Sequence, residues 1–432
     1  MAATGVSSGS GPFRYTTDVS FGQGEHPLLT GKPTVAVISY HAPPVLNAES
    51  ILVWKTLKVL RTWFHLRLIT ASVPSADTTL ALPDDIEVER LPTWMPSAYK
   101  PRRALEKIIG RFADEAWLWA RQTPASMDLP VDLLYSRSQP GASHLLALRW
   151  KLRTGKPWIA QFSDPWAHNP YHMSRTPRRK AFDEANERAV VAKADALVFP
   201  TQEILEQYVQ LYPQVPVADK SIVLPHHFMP ELYPERVERP AEIADKLLFA
   251  YLGDFYGQRS PEPFVAGLEK ALGERPGMRQ RVAVEFYGNV ESKFEPIVAQ
   301  SPVPIRKGRV SYLDSLARMR QADVLVLIDA PSATGRNPFL ASKLIDYLGA
   351  GRKILGITDV EGTAADILRA QGHVVCSPRD VDGIASAMVA MMDAYQRGES
   401  FSVPVPMAYS SAEVVGKLAA HMERLLGETH MK

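Results

Sequence analysis

The fold of this chain is decided by the stretch Val324-Leu-Val-Leu-Ile-Asp329 and by Asn337-Pro-Phe-Leu-Ala-Ser-Lys-Leu-Ile-Asp-Tyr-Leu-Gly-Ala-Gly351, which follows it. The first run is short, continuous and apolar, as is typical of a strand buried in a parallel sheet. The second predicts a helix whose first turn holds Ser342 and Lys343. A buried strand that leads through a loop into a helix indicates a protein of the α/β class.

The start of this predicted helix also has the chemistry of an anion site. Its free backbone N–H groups, its dipole and the Lys343 ammonium would all favour a bound anion. Asp346 lies three residues beyond Lys343 on the same helix face, where its carboxylate could accept hydrogen bonds from sugar hydroxyls. The simpler alternative is an exposed ion pair between Lys343 and Asp346.

Strand-like and helix-like segments alternate along nearly the whole chain, which predicts two doubly wound, Rossmann-like domains that face a cleft. A chain of 432 residues also exceeds the size at which one hydrophobic core stops growing. In such sheets, ligands bind outside the carboxyl ends of the strands. The predicted strands are residues 34–40, 66–70, 133–135, 158–162, 196–199, 222–224, 247–252, 282–287, 324–328, 353–358 and 373–376.

Composition predicts where the domains begin and end. Residues 1–30 are rich in Gly, Ser and Thr, and we expect a mobile N-terminal tail there. Residues 31–225 and 247–405 would form the two domains, joined by a proline-punctuated linker at 226–246. Residues 406–432 would form a C-terminal helix that packs back on the N-terminal domain.

Composition also excludes several classes of protein. The single cysteine, Cys376, excludes an intramolecular disulfide and a cysteine-based metal cluster, and it suits a reducing compartment. We find no uninterrupted apolar run of about 18 residues and no start that resembles a signal peptide. We therefore expect a cytoplasmic protein that does not span a membrane.

Positive charge is concentrated in one part of the chain. Residues 90–190 contain 17 Lys or Arg against 9 Asp or Glu, although the net charge of the whole chain is only +2. Residues 94–112 mix aromatic rings with cations, which is the chemistry of a surface that contacts anionic lipid at a membrane. The alternative is a helix that packs its apolar side on the core and turns its cations to water. No recognition motif indicates a nucleic-acid partner.

Two glycine loops fall at the carboxyl ends of predicted strands in the second half. They are Gly253-Asp-Phe-Tyr-Gly-Gln-Arg259 and Tyr287-Gly-Asn289. Their glycines permit a close approach of the backbone to a ligand, and Arg259 can bind an anion bidentately. Together with Lys343 and its helix N-terminus, these loops predict a diphosphate site in the cleft.

The order of these motifs resembles that of nucleotide-sugar-dependent glycosyltransferases of the GT-B fold, in particular the retaining glycosyltransferase family 4 enzymes of bacterial polysaccharide assembly. The resemblance is carried by residues 253–261, by Gly-Arg-Val-Ser-Tyr at 308–312 and by Ser-Lys-Leu-Ile-Asp-Tyr-Leu-Gly-Ala-Gly at 342–351. It spans roughly residues 34–426. It implies that the N-terminal domain binds the acceptor and the C-terminal domain binds the nucleotide sugar.

The resemblance also implies which residues bind the donor. The family glutamate that binds the ribose aligns with Asp346, whereas its partner eight positions earlier aligns with Pro338, for which Asn337 would substitute. Arg259 and Lys343 match the cations that bind the donor phosphates. The implied donor-binding residues are Gly253, Gly257, Arg259, Asn289, Arg309, Asn337, Ser342, Lys343 and Asp346.

On the acceptor side, the resemblance points to the loops at 135–140 and 163–166. No metal is implied, because cations and helix N–H groups can stabilise the departing diphosphate. The only Asp-x-Asp, Asp380-Val-Asp382, is better interpreted as a helix start. The candidate catalytic residues are Asp164, His168 and His41, and the candidate acceptor-binding residues are Asn47, Arg137 and Trp166.

The expected function is transfer of a hexose-type sugar, with retention of configuration, from a UDP- or GDP-linked donor to a glycan or polyprenyl-diphosphate-linked acceptor. The enzyme would act in bacterial exopolysaccharide or cell-surface glycan synthesis, peripherally at the inner membrane face, and need no cofactor. Two alternatives stay open: a GT-B sugar-nucleotide epimerase, and a non-catalytic nucleotide-sugar-binding homologue, which the missing carboxylate at Pro338 would favour. A nicotinamide dehydrogenase is disfavoured, because no Gly-x-Gly-x-x-Gly follows the first strand of either half.

Overall fold

The computed structural model describes residues 31–72, 79–94, 96, 98–169, 175–332 and 336–430. The predicted tail at 1–30 lies outside the described residues. Within the described part, the strands form one seven-stranded sheet, one six-stranded sheet and a two-stranded pair, and every pairing between named strands is parallel. Helices connect the strands. The predicted α/β class with two doubly wound sheets is confirmed.

The first sheet belongs to the N-terminal half. Its strands are β1 (Thr34–Ile38), β2 (His65–Ser72), β3 (Glu87–Pro92), β4 (Leu133–Ser138), β5 (Trp158–Phe162), β6 (Ala196–Phe199) and β7 (Ser221–Val223). Its helices are α1 (Ala48–Leu60), α2 (Tyr99–Ile109), α3 (Trp117–Ala120), α4 (Ala142–Thr154), α5 (Pro177–Lys193) and α6 (Gln202–Leu211). The spatial order is β3-β2-β1-β4-β5-β6-β7, so the winding direction reverses between β1 and β4.

The second sheet repeats this plan. Its strands are β8 (Leu247–Leu252), β9 (Val282–Tyr287), β10 (Ile305–Gly308), β11 (Val324–Ile328), β13 (Lys353–Ile357) and β15 (Val374–Cys376), while β12 (Arg336–Asn337) pairs with β14 (Glu361–Gly362). Its helices are α7 (Glu262–Glu274), α8 (Glu295–Ala299), α9 (Tyr312–Gln321), α10 (Ser342–Ala350), α11 (Thr363–Ala370), α12 (Val381–Gln396) and α13 (Ser411–His430). The order β10-β9-β8-β11-β13-β15 places its reversal between β8 and β11.

Sequence patterns explain which strands could be predicted. Every residue of β8, β9 and β11 is buried, which fits the continuous apolar runs of β8 and β11 in the middle of a sheet. The strands β3 and β10 were not predicted, and they occupy the same outer position in the two sheets. Their sequences, Glu-Val-Glu-Arg-Leu-Pro and Ile-Arg-Lys-Gly, carry the charges that protect edge strands from further pairing.

The two halves are held together at several places. The helix α13 packs against α1 of the first sheet. Phe228 and Tyr233, from the segment 226–246 between the sheets, are buried against Gly349 of α10. None of the described helices is both long and apolar enough to cross a membrane.

The carboxyl edges of the two sheets face each other. Thr201, just beyond the carboxyl end of β6, donates a hydrogen bond to the carbonyl of Pro338 at 3.1 Å. Pro338 lies in the connection between β11 and α10, hence at the carboxyl edge of the second sheet. Ligands of parallel sheets bind at such edges, so the space between the domains is the place to look for a site.

Candidate active site

The switch point of the second sheet lies between β8 and β11. Gly253 follows β8 with a φ of 151°, a conformation that favours glycine. A Cβ atom at this position would lie 3.2 Å from the Nζ of Lys343. The backbone of the loop after β8 therefore lies next to the ammonium group of Lys343.

Lys343 lies in the first turn of α10, where Tyr251 holds its ammonium. Its Nζ donates to the Tyr251 hydroxyl at 3.0 Å and lies 4.5 Å from the centre of that ring. Burial, and then the nearby Arg259, lower the pKa of Lys343 to about 7, although Asp329 and Asp254 act in the opposite direction. A bound anion would restore the charged form of this lysine.

Arg259 brings a second cation to the switch point. Its guanidinium lies 5.2 Å from the centre of the Tyr256 ring and 3.7 Å from the carboxylate of Asp329, which directly follows β11. The other oxygen of Asp329 accepts a hydrogen bond from the Thr358 hydroxyl at 3.2 Å. The arginine thus reaches from the loop after β8 to the end of β11.

The N-terminus of α10 adds backbone donors to these cations. Its N-cap residue is Ala341, and no described side chain caps the helix. By contrast, Asn47, Thr201 and Ser311 cap α1, α6 and α9 with side-chain oxygens. Two cations and an uncapped helix N-terminus meet at one point, beside Ser342, and together they suit a ligand with a diphosphate group.

The loops after β8 and β9 are tied to each other. A Cβ on Gly288 would lie 2.2 Å from the carbonyl oxygen of Gly253, so only glycine fits there. The backbone N–H of Asn289 donates to the Asp254 carboxylate at 2.6 Å. The side-chain oxygen of Asn289 accepts a hydrogen bond from Arg309 at 2.9 Å. Asn289 and Arg309 are exposed, so they form a polar pair on the surface of this domain.

The structure corrects the expected position of Asp346. Its side chain is only 8% exposed, and its carboxylate forms an ion pair of 3.0 Å with Lys55 of α1, which is 1% exposed. It also accepts a hydrogen bond from the Tyr312 hydroxyl at 3.2 Å. Burial raises the pKa of Asp346, and Lys55 opposes that rise. Asp346 is therefore bound to the other domain, and neither a ribose-facing carboxylate nor an ion pair with Lys343 is found.

Asn337 and Gly257 also use their polar groups locally. Asn337 is 4% exposed, and its side-chain oxygen accepts from the backbone N–H of Phe339 at 3.0 Å. The N–H of Gly257 donates to Glu291 at 3.1 Å. Asn337 therefore stabilises the turn before α10 with its side-chain oxygen.

The predicted acceptor-binding residues form part of the framework of the first domain. Arg137 is 2% exposed and donates to Glu49 at 3.0 Å. Trp166 is also buried, and its indole N–H donates to Asp183 at 3.1 Å. Asn47 caps α1. The prediction for Arg137 and Trp166 is corrected, because buried carboxylates bind their donor groups.

The predicted catalytic residues all lie at the carboxyl edge of the first sheet. Asp164 and His168 follow β5, and His41 follows β1. Burial, with the Glu49 carboxylate as a smaller cause, raises the pKa of Asp164 to about 7, and no hydrogen bond joins its carboxylate to a described residue. Burial lowers the pKa of His41 to about 4, so this imidazole is neutral at pH 7. His168 is half-buried.

A cavity of about 580 Å³ opens beside His41 at the switch point of the first sheet. We call it the α2 cavity, because α2 contributes Arg102, Arg103, Glu106 and Lys107 to its lining. The sequence predicted these cations as part of a lipid-facing surface, and only the structure places them over a cavity. Within the described ranges, no group of three His, Cys, Asp or Glu side chains could hold a metal ion.

Comparisons with known proteins bear on the fold. No family model and no curated protein matches this sequence. HepE from Anabaena, crystallised with UDP, is 14% identical in sequence to this chain and superposes with a TM-score of 0.55. The match covers 92% of this chain and 98% of the HepE chain. Sucrose-phosphate synthase from Thermosynechococcus elongatus is 16% identical with a TM-score of 0.61, over 91% and 95% of the two chains.

A third similar structure is a putative UDP-N-acetylglucosamine 2-epimerase from Listeria monocytogenes. It is 12% identical with a TM-score of 0.59, over 92% of this chain and 98% of its own. Identities this low show the fold alone. The chain has the GT-B fold, in which transferases and epimerases both occur.

Proposed function

We propose that this protein is a glycosyltransferase that moves a hexose-type sugar from a UDP- or GDP-linked donor to an acceptor. The observation that carries the proposal is the meeting of Arg259, Lys343 and the uncapped N-terminus of α10 at the switch point of the second sheet. Breaking a sugar–phosphate bond leaves negative charge on the departing diphosphate. Cations and N–H groups already in place stabilise that charge as it develops.

Two further features of the reaction are part of the proposal. These groups would stabilise the leaving diphosphate without a metal ion, since two cations and a helix N-terminus already converge there. Retention of configuration is supported by the resemblance of residues 342–351 to the retaining family. HepE has been crystallised with UDP and with UDP-glucose, which supports a donor of this class.

The acceptor would be a glycan or a polyprenyl-diphosphate-linked sugar, in bacterial exopolysaccharide or cell-surface glycan synthesis. The surface of residues 94–112, which include α2, supports an encounter at the anionic inner face of a membrane. Trp94, Ile108 and Phe112 are 69%, 55% and 51% exposed, and the cations Arg103 and Lys107 lie on the same stretch. Exposed apolar side chains beside cations fit an anionic lipid surface. Flotation with phosphatidylglycerol vesicles should carry the protein, and Ile108→Ser/Phe112→Ser should reduce the floated fraction.

Calorimetric titration with UDP and with GDP tests the donor site. One of them should bind with a Kd in the micromolar range, and Arg259→Met/Lys343→Met should abolish that binding. The absence of binding by either nucleotide would refute the proposal. An epimerase would convert a UDP-sugar into its epimer without an acceptor, which NMR of the incubated donor would show. A transferase instead leaves the donor sugar unchanged or releases it slowly to water.

A further inference from the structure

The α2 cavity is a second place where cations gather at a switch point. Tyr40 and His41 follow β1, and Pro140 follows β4, so the cavity lies at the reversal of the first sheet. We propose that it binds the phosphate or diphosphate group of the acceptor substrate. This inference rests on the proposed function, and it assigns Arg102, Arg103 and Lys107 to acceptor binding.

The charges in the cavity are unequal. Glu106 is shared by two arginines, with Arg102 Nε at 2.9 Å and a terminal nitrogen of Arg103 at 3.2 Å. Glu115 lies 3.5 Å from a nitrogen of Arg179, a buried residue outside the cavity. Lys107 forms no ion pair with a described residue. The cavity lining therefore has an uncompensated positive charge that a phosphate would balance.

Size and position suit a phosphorylated sugar. The volume of about 580 Å³ falls in the range of small-ligand sites, which is about 300–1,000 Å³, so phosphate would not fill it. Because the carboxyl edges of the sheets face each other, a sugar attached to the phosphate would extend toward the donor site on the second sheet. His41 lies in the lining, where its neutral imidazole could hydrogen-bond a sugar hydroxyl.

The phosphate could belong to a lipid-linked sugar or to a soluble sugar phosphate. Ile108 and Phe112, 55% and 51% exposed, lie one and five residues beyond Lys107 in the chain. They are available to an isoprenoid chain attached to a phosphate in the cavity. The cavity itself recognises the phosphate in either case, so the two sources have to be separated by experiment.

Inorganic pyrophosphate would be titrated into protein saturated with UDP, so that the donor site is already filled. The variant Arg103→Ala/Lys107→Ala removes two cations from the lining. The matched control Lys100→Ala/Arg111→Ala removes two exposed cations from the same stretch but outside the lining. We expect pyrophosphate to bind about tenfold or more weakly to the first variant, because charge-assisted hydrogen bonds are lost, and within about twofold of wild type to the control.

Equal affinities in the two variants, or no binding to UDP-saturated wild type, would overturn the proposal. A parallel titration with geranyl diphosphate separates the sources. Tighter binding than pyrophosphate, lost in Ile108→Ser/Phe112→Ser, supports a lipid-linked acceptor, whereas equal affinity supports a soluble sugar phosphate. If UDP itself fails to bind, the proposed function fails. The pyrophosphate titration then continues in Arg259→Met/Lys343→Met, in which the α2 cavity remains intact.

Discussion

The two sheets have the same strand order around their switch points, yet the cations at the donor site differ from the buried cations of the first domain in how they are paired. At the second switch point, Lys343 is half-buried, and Arg259 is 21% exposed and lies 3.7 Å from the Asp329 carboxylate. In the first domain, Arg137 is buried with Glu49 at 3.0 Å, and Lys55 is buried with Asp346 at the same distance. Topology provides two equivalent positions, whereas burial and pairing decide which cations can bind a ligand.

The largest effect is expected where a buried ion pair between the two domains is broken. Lys55→Met leaves the Asp346 carboxylate buried without its partner, which costs about 3–5 kcal/mol of the free energy of unfolding. Urea unfolding measures this cost. Lys58→Met, on the same helix but half-exposed, is the matched control and should cost less than about 1 kcal/mol. Equal costs for the two variants would show that the Lys55–Asp346 ion pair does not hold the domains together.

The next effect concerns the carboxylate at the edge of the first sheet that has no such partner among the described residues. Asp164 has a pKa of about 7, so it is partly ionised at neutral pH and suited to accept a proton from an acceptor hydroxyl. Asp164→Asn should lower the rate of sugar transfer about 10²-fold or more. UDP affinity, measured by calorimetry, should stay at the wild-type value. Unchanged transfer would exclude a role in proton transfer.

At the second switch point, removal of one cation should weaken donor binding and leave stability unharmed. Lys343→Met removes a charge-assisted interaction with the diphosphate, worth about 1.5–3 kcal/mol, which corresponds to about a 10- to 150-fold rise in the Kd for UDP. Lys270→Met, an exposed lysine on α7, should have no effect. If both variants bind UDP like the wild type, Lys343 does not contact the donor.

The pH dependence of UDP binding should follow the protonation of the Lys343 ammonium. The pKa of Lys343 is about 7 in the folded protein and 10.5 ordinarily, and a bound diphosphate raises it. UDP affinity should thus fall by up to about tenfold per pH unit above about pH 7. The unfolded chain binds this proton more tightly than the folded protein between pH 7 and 10.5, so the free energy of unfolding rises with pH in that window. Lys343→Met should flatten both profiles.

The smallest effect is expected at the exposed polar pair of Arg309 and Asn289. Arg309→Ala should change the free energy of unfolding by no more than about 0.5 kcal/mol, because both side chains are open to water. UDP affinity is the more informative measurement. A Kd for UDP within about twofold of the wild-type value would show that Arg309 does not contact the donor. A tenfold rise in the Kd would place Arg309 in the donor site, as the sequence predicted.

Much of the fold could be predicted, and the reasons are local. Continuous apolar runs such as Val324–Ile328 indicate buried parallel strands wherever they occur. The edge strands β3 and β10 escaped prediction, because an edge position tolerates charge and interrupts the apolar run. The structure brings Arg259, Lys343 and the start of α10 together, since all three follow strands at one edge of one sheet.

The errors in the candidate site have a different origin. Asp346 and Arg137 are polar residues near the expected loops, and the sequence assigned both to ligands. Their partners, Lys55 and Glu49, are 291 and 88 positions away in the chain. Rules based on sequence spacing apply only over a few residues, so neither ion pair could be predicted from the sequence.

The sequence by itself determined the α/β class, the two doubly wound sheets and the cationic helix start after β11. These features depend on periodicity, loop residues and backbone geometry, which act over a few residues. Only the tertiary structure decided which polar side chains remain available to a ligand. Availability depends on burial and on partners from distant segments: Lys343 stays beside the glycine loop after β8, whereas Asp346, one turn further along the same helix, is bound by Lys55 of the other domain.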